Sequence, residues 1–66
     1  MLALLTQGEA AELLRLSERT LERLRVTGGG PRFVKIRQLV RYRPVDVEMW
    51  LASRVVASTS EESANA

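Results

Sequence analysis

Sixty-six residues with ten Lys/Arg, eight Asp/Glu and neither cysteine nor histidine make one small domain at most. The missing residue types exclude a disulfide framework, a thiolate or imidazole metal site and histidine-based acid/base chemistry, and so short a chain has no room for a buried catalytic cleft. The last nine residues, STSEESANA, hold two acids and no base, so residues 1–57 carry ten bases against six acids, a net +4, and nine of those bases are arginine.

Arginine's planar fork of donors matches phosphates and guanine edges, which makes a polyanion the natural partner to consider. The same composition also fits a solvated mixed-charge surface, so position along the chain has to decide. The start, MLALLT, is apolar but has no basic flank and is far shorter than a signal core or a membrane span. The expectation is a soluble cytoplasmic protein with no membrane partner.

The first helix should begin at Thr6, whose hydroxyl can cap free amides while Glu9 reaches back in a T-x-x-E capping box. Leu5 can staple onto Ala10. Ala10, Ala11 and Leu14 then share one face, with Leu13 on its flank and Glu9 and Glu12 turned away. Small alanines on that face let a second helix cross closely.

A break at Arg15-Leu16-Ser17 follows, with Ser17 as a second N-cap and Leu16 able to plug the angle between the helices. The second helix runs from Glu18 to about Thr27. At helical periodicity Leu21 and Leu24 define its buried side, and Arg19, Glu22, Arg23 and Val26 spread over the opposite one, with Arg25 near the boundary. Gly28-Gly29-Gly30-Pro31 ends it, because Gly28 can take a left-handed conformation and the residues after it forbid resumption.

From Phe33 to Arg43 the apolar period changes from helical to two. A three-residue reversal at Arg37-Gln38-Leu39 would put Val34, Ile36, Val40 and Tyr42 on one face and Lys35, Arg41 and Arg43 on the other. A two-residue turn at Arg37-Gln38 would set Arg41 beside Val34 and mix the faces, so the longer loop is the expected one. Pro44 then opens a third helix, Asp46 suits its amino end, and Val47, Trp50 and Leu51 form its apolar stripe. Trp50, the single tryptophan, is expected to be the largest contribution to the core. The domain should span residues 1–57, and residues 58–66 form a flexible acidic polar tail.

Gln7 to Arg25 therefore reads as a helix-turn-helix: Ala11 where the helices cross, Leu14 and Leu16 around the turn, Leu21 and Leu24 beneath the second helix. The hairpin and third helix complete an α-α-β-β-α winged helix-turn-helix, mainly α with a small β-hairpin. Leucines at these spacings also pack any two-helix corner. The arginine-bearing outer face and the basic hairpin, in this order, favour DNA binding.

The segments EAAELLRLSERTL, GGPRFVKI, VRYR and DVEMWL resemble the excisionase-like, MerR-type winged helix-turn-helix family over about residues 4–54. The resemblance implies a small DNA-binding protein of bacterial, phage or mobile-element origin, with helix two in the major groove and the wing along the minor groove. Some relatives are recombination directionality factors that bend attachment-site DNA and assist an integrase; others are transcription regulators. Relatives often carry glycine where Arg15 stands, and Gly-Arg where Arg37-Gln38 stands. The turn is thus expected either to avoid a positive φ or to bear strain, and the wing tip to be looser or longer than usual.

The candidate DNA contacts are Ser17, Arg19, Thr20, Glu22 and Arg23 on helix two, and Lys35, Arg37, Gln38, Arg41 and Arg43 on the wing. Arg19 and Arg23 lie one turn apart and can reach base edges or phosphates; their alternative is a salt-bridged surface with Glu18 and Glu22. Ser17 and Thr20 can donate to phosphates, although Ser17 also serves as a cap. Glu22 can accept from a cytosine amino group or pair with Arg19 or Arg25. The wing cations would position rather than specify. No cofactor or metal is implied. The expected partners are double-stranded DNA, an integrase or recombinase, and neighbouring copies of the chain, because no long dimerisation helix follows Trp50. The functional alternatives are a small MerR-like regulator and a protein-interaction adaptor that uses the basic face.

Overall fold

A computed structural model of the chain describes residues 3–59. Its elements, in order, are β1 (Leu5–Thr6), α1 (Gln7–Leu14), α2 (Glu18–Thr27), β2 (Val34–Ile36), β3 (Leu39–Tyr42) and α3 (Pro44–Ser53). The expected winged helix-turn-helix is present, with a short extra strand ahead of α1.

Local chemistry accounts for both helices of the motif. Thr6 Oγ1 accepts from the Glu9 amide at 3.1 Å and Glu9 Oε1 accepts from the Thr6 amide at 2.8 Å, so the capping box is closed in both directions. Ser17 Oγ accepts from the Thr20 amide at 3.1 Å and starts α2 in the same way. Ala10 and Ala11 are buried against Leu21, while Leu13 on the flank stays exposed.

The turn between them takes the strained alternative. Arg15 adopts φ 59° and ψ 34°, the left-handed region that glycine occupies most easily. That geometry lets the Arg15 amide donate to Glu12 O at 3.1 Å and the Leu16 amide to Ala11 O at 2.9 Å, the paired bonds of a Schellman end. The bonds satisfy α1's free carbonyls, and the side chain bears the steric cost.

Helix α2 ends as expected at Gly28, with φ 89°, and the amides of Gly28 and Gly29 both donate to Leu24 O. Gly30 is glycine for another reason: a Cβ there would stand 2.9 Å from the Leu24 Cβ. The chain leaving the helix passes directly over Leu24.

The hairpin register differs from the expected one. Val34 pairs with Arg41, Lys35 with Val40 and Ile36 with Leu39, which leaves a two-residue turn at Arg37-Gln38 with Arg37 at φ 57°. The tip is tight rather than loose, again at the expense of a non-glycine residue in the left-handed region. Lys35 and Arg41 consequently lie on opposite faces: Val34 and Ile36 share the outer face with Leu39 and Arg41, and exposed Lys35 shares the side of Val40 and Tyr42. The Phe33 ring lies 6.3 Å from that of Tyr42.

Strand β1 was not foreseen. Leu5 pairs with Tyr42 and Thr6 with Arg41, which makes β3 the centre of a three-stranded antiparallel sheet of order β1-β3-β2. Tyr42 is fully buried there, and with Leu21 it is the largest completely enclosed side chain. Ala10, Ala11 and Val47 complete the core, and Leu5, Leu14 and Val40 pack around it.

The third helix begins at Pro44 as expected, but its apolar stripe is less buried. Val47 is enclosed, whereas Leu51 is 45% exposed and Trp50 is half-buried. Trp50 is a latch rather than the heart of the core. Its Nε1 donates to Gly29 O at 2.9 Å, Arg54 Nη2 donates to the same oxygen at 2.8 Å, and the Arg54 guanidinium lies 5.2 Å from the indole. The acidic tail expected over residues 58–66 lies, from residue 60 onward, outside the described residues. Among those described, no helix is long and apolar enough to cross a membrane.

Two substitutions test this account of the loops. Arg15→Gly should hold or raise stability by up to about 1 kcal/mol, because relief of a left-handed arginine outweighs the added unfolded-state freedom. Gly30→Ala should lower it by about 1–3 kcal/mol through the Leu24 contact. Thermal melts would show the two shifting in opposite directions; a fall for both would mean that Arg15 is unstrained.

Candidate nucleic-acid interface

Helix α2 presents Arg19 and Arg23 on its exposed face, one turn apart. Neither side chain makes an ion pair or hydrogen bond with a described residue. The acids that could have neutralised them are directed elsewhere. Glu22 lies 3.9 Å from Arg25 Nη2, and the Glu18 carboxylate sits over Gly8 on α1, where an added methyl would meet its Oε2 at 3.3 Å. The salt-bridged alternative for Arg19 and Arg23 is therefore not the arrangement adopted. Their charge faces water, where a ligand can reach it.

Ser17 and Thr20 serve the helix start. Beyond capping, Ser17 Oγ donates to Thr20 Oγ1 at 2.9 Å, so its proton is already engaged. Thr20 lies off the arginine stripe, in an apolar groove of about 390 Å³ that it shares with Leu14, Leu16, Leu24, Trp50, Leu51 and Arg54. Glu22 is exposed on the outer face, and its contact to Arg25 is long enough to contribute well under about 1 kcal/mol.

Arg25, near the boundary in sequence, ties three elements together. Its Nε donates to Gln7 Oε1 at 3.4 Å, and its guanidinium lies 5.8 Å from the centre of the Phe33 ring. Beneath it the Tyr42 hydroxyl is buried without a hydrogen-bond partner among the described residues. Burial pushes that phenol above the usual tyrosine range, and the nearby Arg25 charge works against the rise. Nothing in the spacing of α2 alone could have marked Arg25 as a positioner, since its partners come from α1 and the wing.

On the wing, Lys35, Arg37 and Gln38 are exposed at the tip. Arg41 lies on the sheet's outer face and folds back to donate from Nη1 to Val40 O at 2.8 Å. Arg43 is committed elsewhere. It grips Asp46 through two bonds, Nε to Oδ2 at 2.6 Å and Nη2 to Oδ1 at 2.9 Å, and so braces the first turn of α3. Asp46 is 6% exposed, an acid that the sequence reading left as a helix-end charge. The structure thus brings together Lys35, Arg37 and Gln38, turns Arg41 to another face and places Arg43 at the base of the wing.

Two capped helices crossing over small residues, an exposed basic stripe on the second, and a basic hairpin make up the arrangement. The model of the helix-turn-helix domain family matches residues 4–55. The chain belongs to the helix-turn-helix domain family. That family includes excisionase-like DNA-binding proteins, and DNA is the partner that membership supports. A search of curated proteins finds no significant match to the chain. Within this helix-turn-helix domain, α2 is the second helix of the motif and the hairpin is the wing.

The Arg43 hydrogen bonds, aided by its charge and that of Arg32, hold the Asp46 carboxyl below the usual aspartate range against the opposing effect of burial. A depressed acid contributes stability that is fully present above its unfolded pKa of about 4 and is lost as pH falls through the lower folded value. Denaturant midpoints should therefore fall more steeply for the natural chain than for Asp46→Asn on going from about pH 5 to about pH 2. Parallel profiles would show that the pair carries no linked stability.

Proposed function

We propose that the protein binds double-stranded DNA in a sequence-specific manner, with α2 in the major groove and the wing against the adjacent backbone or minor groove. Its role is that of an excisionase-like recombination directionality factor, which bends attachment-site DNA and assists an integrase. The observation that carries the DNA contact is the pair of unneutralised arginines, Arg19 and Arg23, on the exposed face of a helix fixed at both ends. A free guanidinium can bridge the O6 and N7 of guanine with its planar fork, and each such contact is worth about 1–3 kcal/mol of discrimination.

Lys35, Arg37 and Gln38 supply contacts that set orientation, and Arg41 adds one from the sheet's outer face once its own bond to Val40 O is exchanged for a phosphate. Ser17 and Thr20 lie beside the arginine stripe, where Thr20 retains a hydroxyl proton for a phosphate oxygen, and Glu22, on the stripe itself, discriminates against bases that present acceptors. A recognition helix of ten residues reads a few base pairs. Selectivity then comes from several copies on neighbouring sites or from the integrase, and this requirement favours an architectural role over a lone repressor.

The test begins with a duplex selected from random sequence. The natural chain should bind it with log K falling steeply and linearly against log salt, and Arg19→Ala/Arg23→Ala should bring the affinity down toward that for scrambled duplex. Retention of full sequence preference would refute the assignment of α2. Weak, salt-insensitive duplex binding would instead favour an acidic protein partner. A shifted bend in a permuted-site gel with stimulated excision by a cognate integrase supports the recombination role; repression without either supports a MerR-like regulator. Light scattering should find a monomer without DNA, and a tight dimer there would contradict assembly on the duplex.

A further inference from the structure

The two-residue turn has placed an apolar pair where the basic tip would be expected to be polar. Ile36 and Leu39 face each other directly across β2 and β3, on the sheet face away from the core. They are 49% and 54% exposed, although each is a large side chain beside a hairpin that any polar pair could close. Val34 and Arg41 form the next pair on that face, with Thr6 beyond Arg41. The fold gives Ile36 and Leu39 no core to fill.

Their surroundings specify the partner. From Pro31 to Val45 the chain carries Arg32, Lys35, Arg37, Arg41 and Arg43 and no acid. Two wings meeting face to face would oppose these charges. A surface that is apolar in the middle and anionic on both sides suits them, and the minor groove of duplex DNA is such a surface: deoxyribose walls flanked by two rows of phosphates. The groove is about 6 Å wide, whereas two paired strands stand about 4.8 Å apart before their side chains are added. The tip can enter only by widening the groove.

We propose that Ile36 and Leu39 form an apolar wedge that enters the minor groove, rests on deoxyribose and opens the groove, while Lys35 and Arg37 hold the flanking phosphates. This inference rests on the duplex-binding reading above. The wedge adds a component of affinity that salt does not screen and bends the DNA locally, most easily at flexible pyrimidine–purine steps.

The test compares the natural chain with Ile36→Thr/Leu39→Thr, in which threonine keeps the strand preference and removes apolar bulk. The variant should bind a single site roughly tenfold more weakly at every salt concentration, as expected for a few partly buried methylenes, with the slope of log K against log salt unchanged. Its bend in the permuted-site gel should shrink. A second arm needs no variant: replacing a TA step beneath the wing with a stiff A-tract should weaken the natural chain several-fold, and an indifferent response overturns the wedge. So does unchanged single-site affinity and bend in the threonine variant. A loss confined to duplexes with two adjacent sites overturns it in favour of a contact between copies. If the natural chain binds no duplex in a salt-dependent manner, the DNA-binding reading fails with it; if it binds and the wedge tests fail, that reading stands.

Discussion

Helix α2 packs on α1 over the small side chains of Ala10 and Ala11, and the Ala11 carbonyl accepts the Leu16 amide that closes the turn. Side chain and backbone at one position thus fix both how near the two helices come and the angle at which the second departs. A larger side chain there would push Leu21 out of its enclosed place, and the cost of overpacking, about 1–3 kcal/mol, is large for a domain of this size. Arg15 stands in the left-handed region because this geometry leaves it no other conformation. The orientation of the Arg19 and Arg23 stripe follows from that constraint.

The acids of the molecule show how a nearly neutral chain presents a basic face. Glu9 closes the cap of α1, Glu18 lies over Gly8, Glu22 leans toward Arg25, and Asp46 is held by Arg43. Glu9, Glu18 and Asp46 are engaged with the body of the fold or the base of the wing, and Glu22, on the outer face, leans toward Arg25 and not toward Arg19 or Arg23. Arg19, Arg23, Lys35 and Arg37 are left facing outward, where field and geometry favour a polyanion. The net charge counts both sets equally, but their placement separates them.

Helix α3 and the wing are joined by side chains that do not contribute mainly by apolar burial. Trp50 and Arg54 converge on the Gly29 carbonyl, and Arg25 spans Gln7 and Phe33. These contacts hold α3 and the hairpin against the two helices of the motif. Tyr42 carries the packing that Trp50 was expected to supply, because β1 adds to the sheet and brings Leu5 onto the central strand.

The sequence by itself determined the two caps, the bounds of α2, the glycine stop at Gly28, the start of α3 at Pro44 and the outward stripe of arginines, since each depends on residues three or four positions apart. It also contained the helix-turn-helix pattern, which is a set of local steric demands. Tertiary structure decided what local rules leave degenerate. The hairpin register turned on whether Val34 and Ile36 shared the face of Tyr42 or the opposite one, a choice made by β1 and by the helices beneath the sheet. The same choice sent Ile36 and Leu39 outward and separated Lys35 from Arg41. Arg25 became a junction through packing between segments far apart in the chain, whereas the Arg43–Asp46 pair spans only three residues. Periodicity gives the phase of a helix from its own residues, but a short strand takes its inner face from whatever covers it.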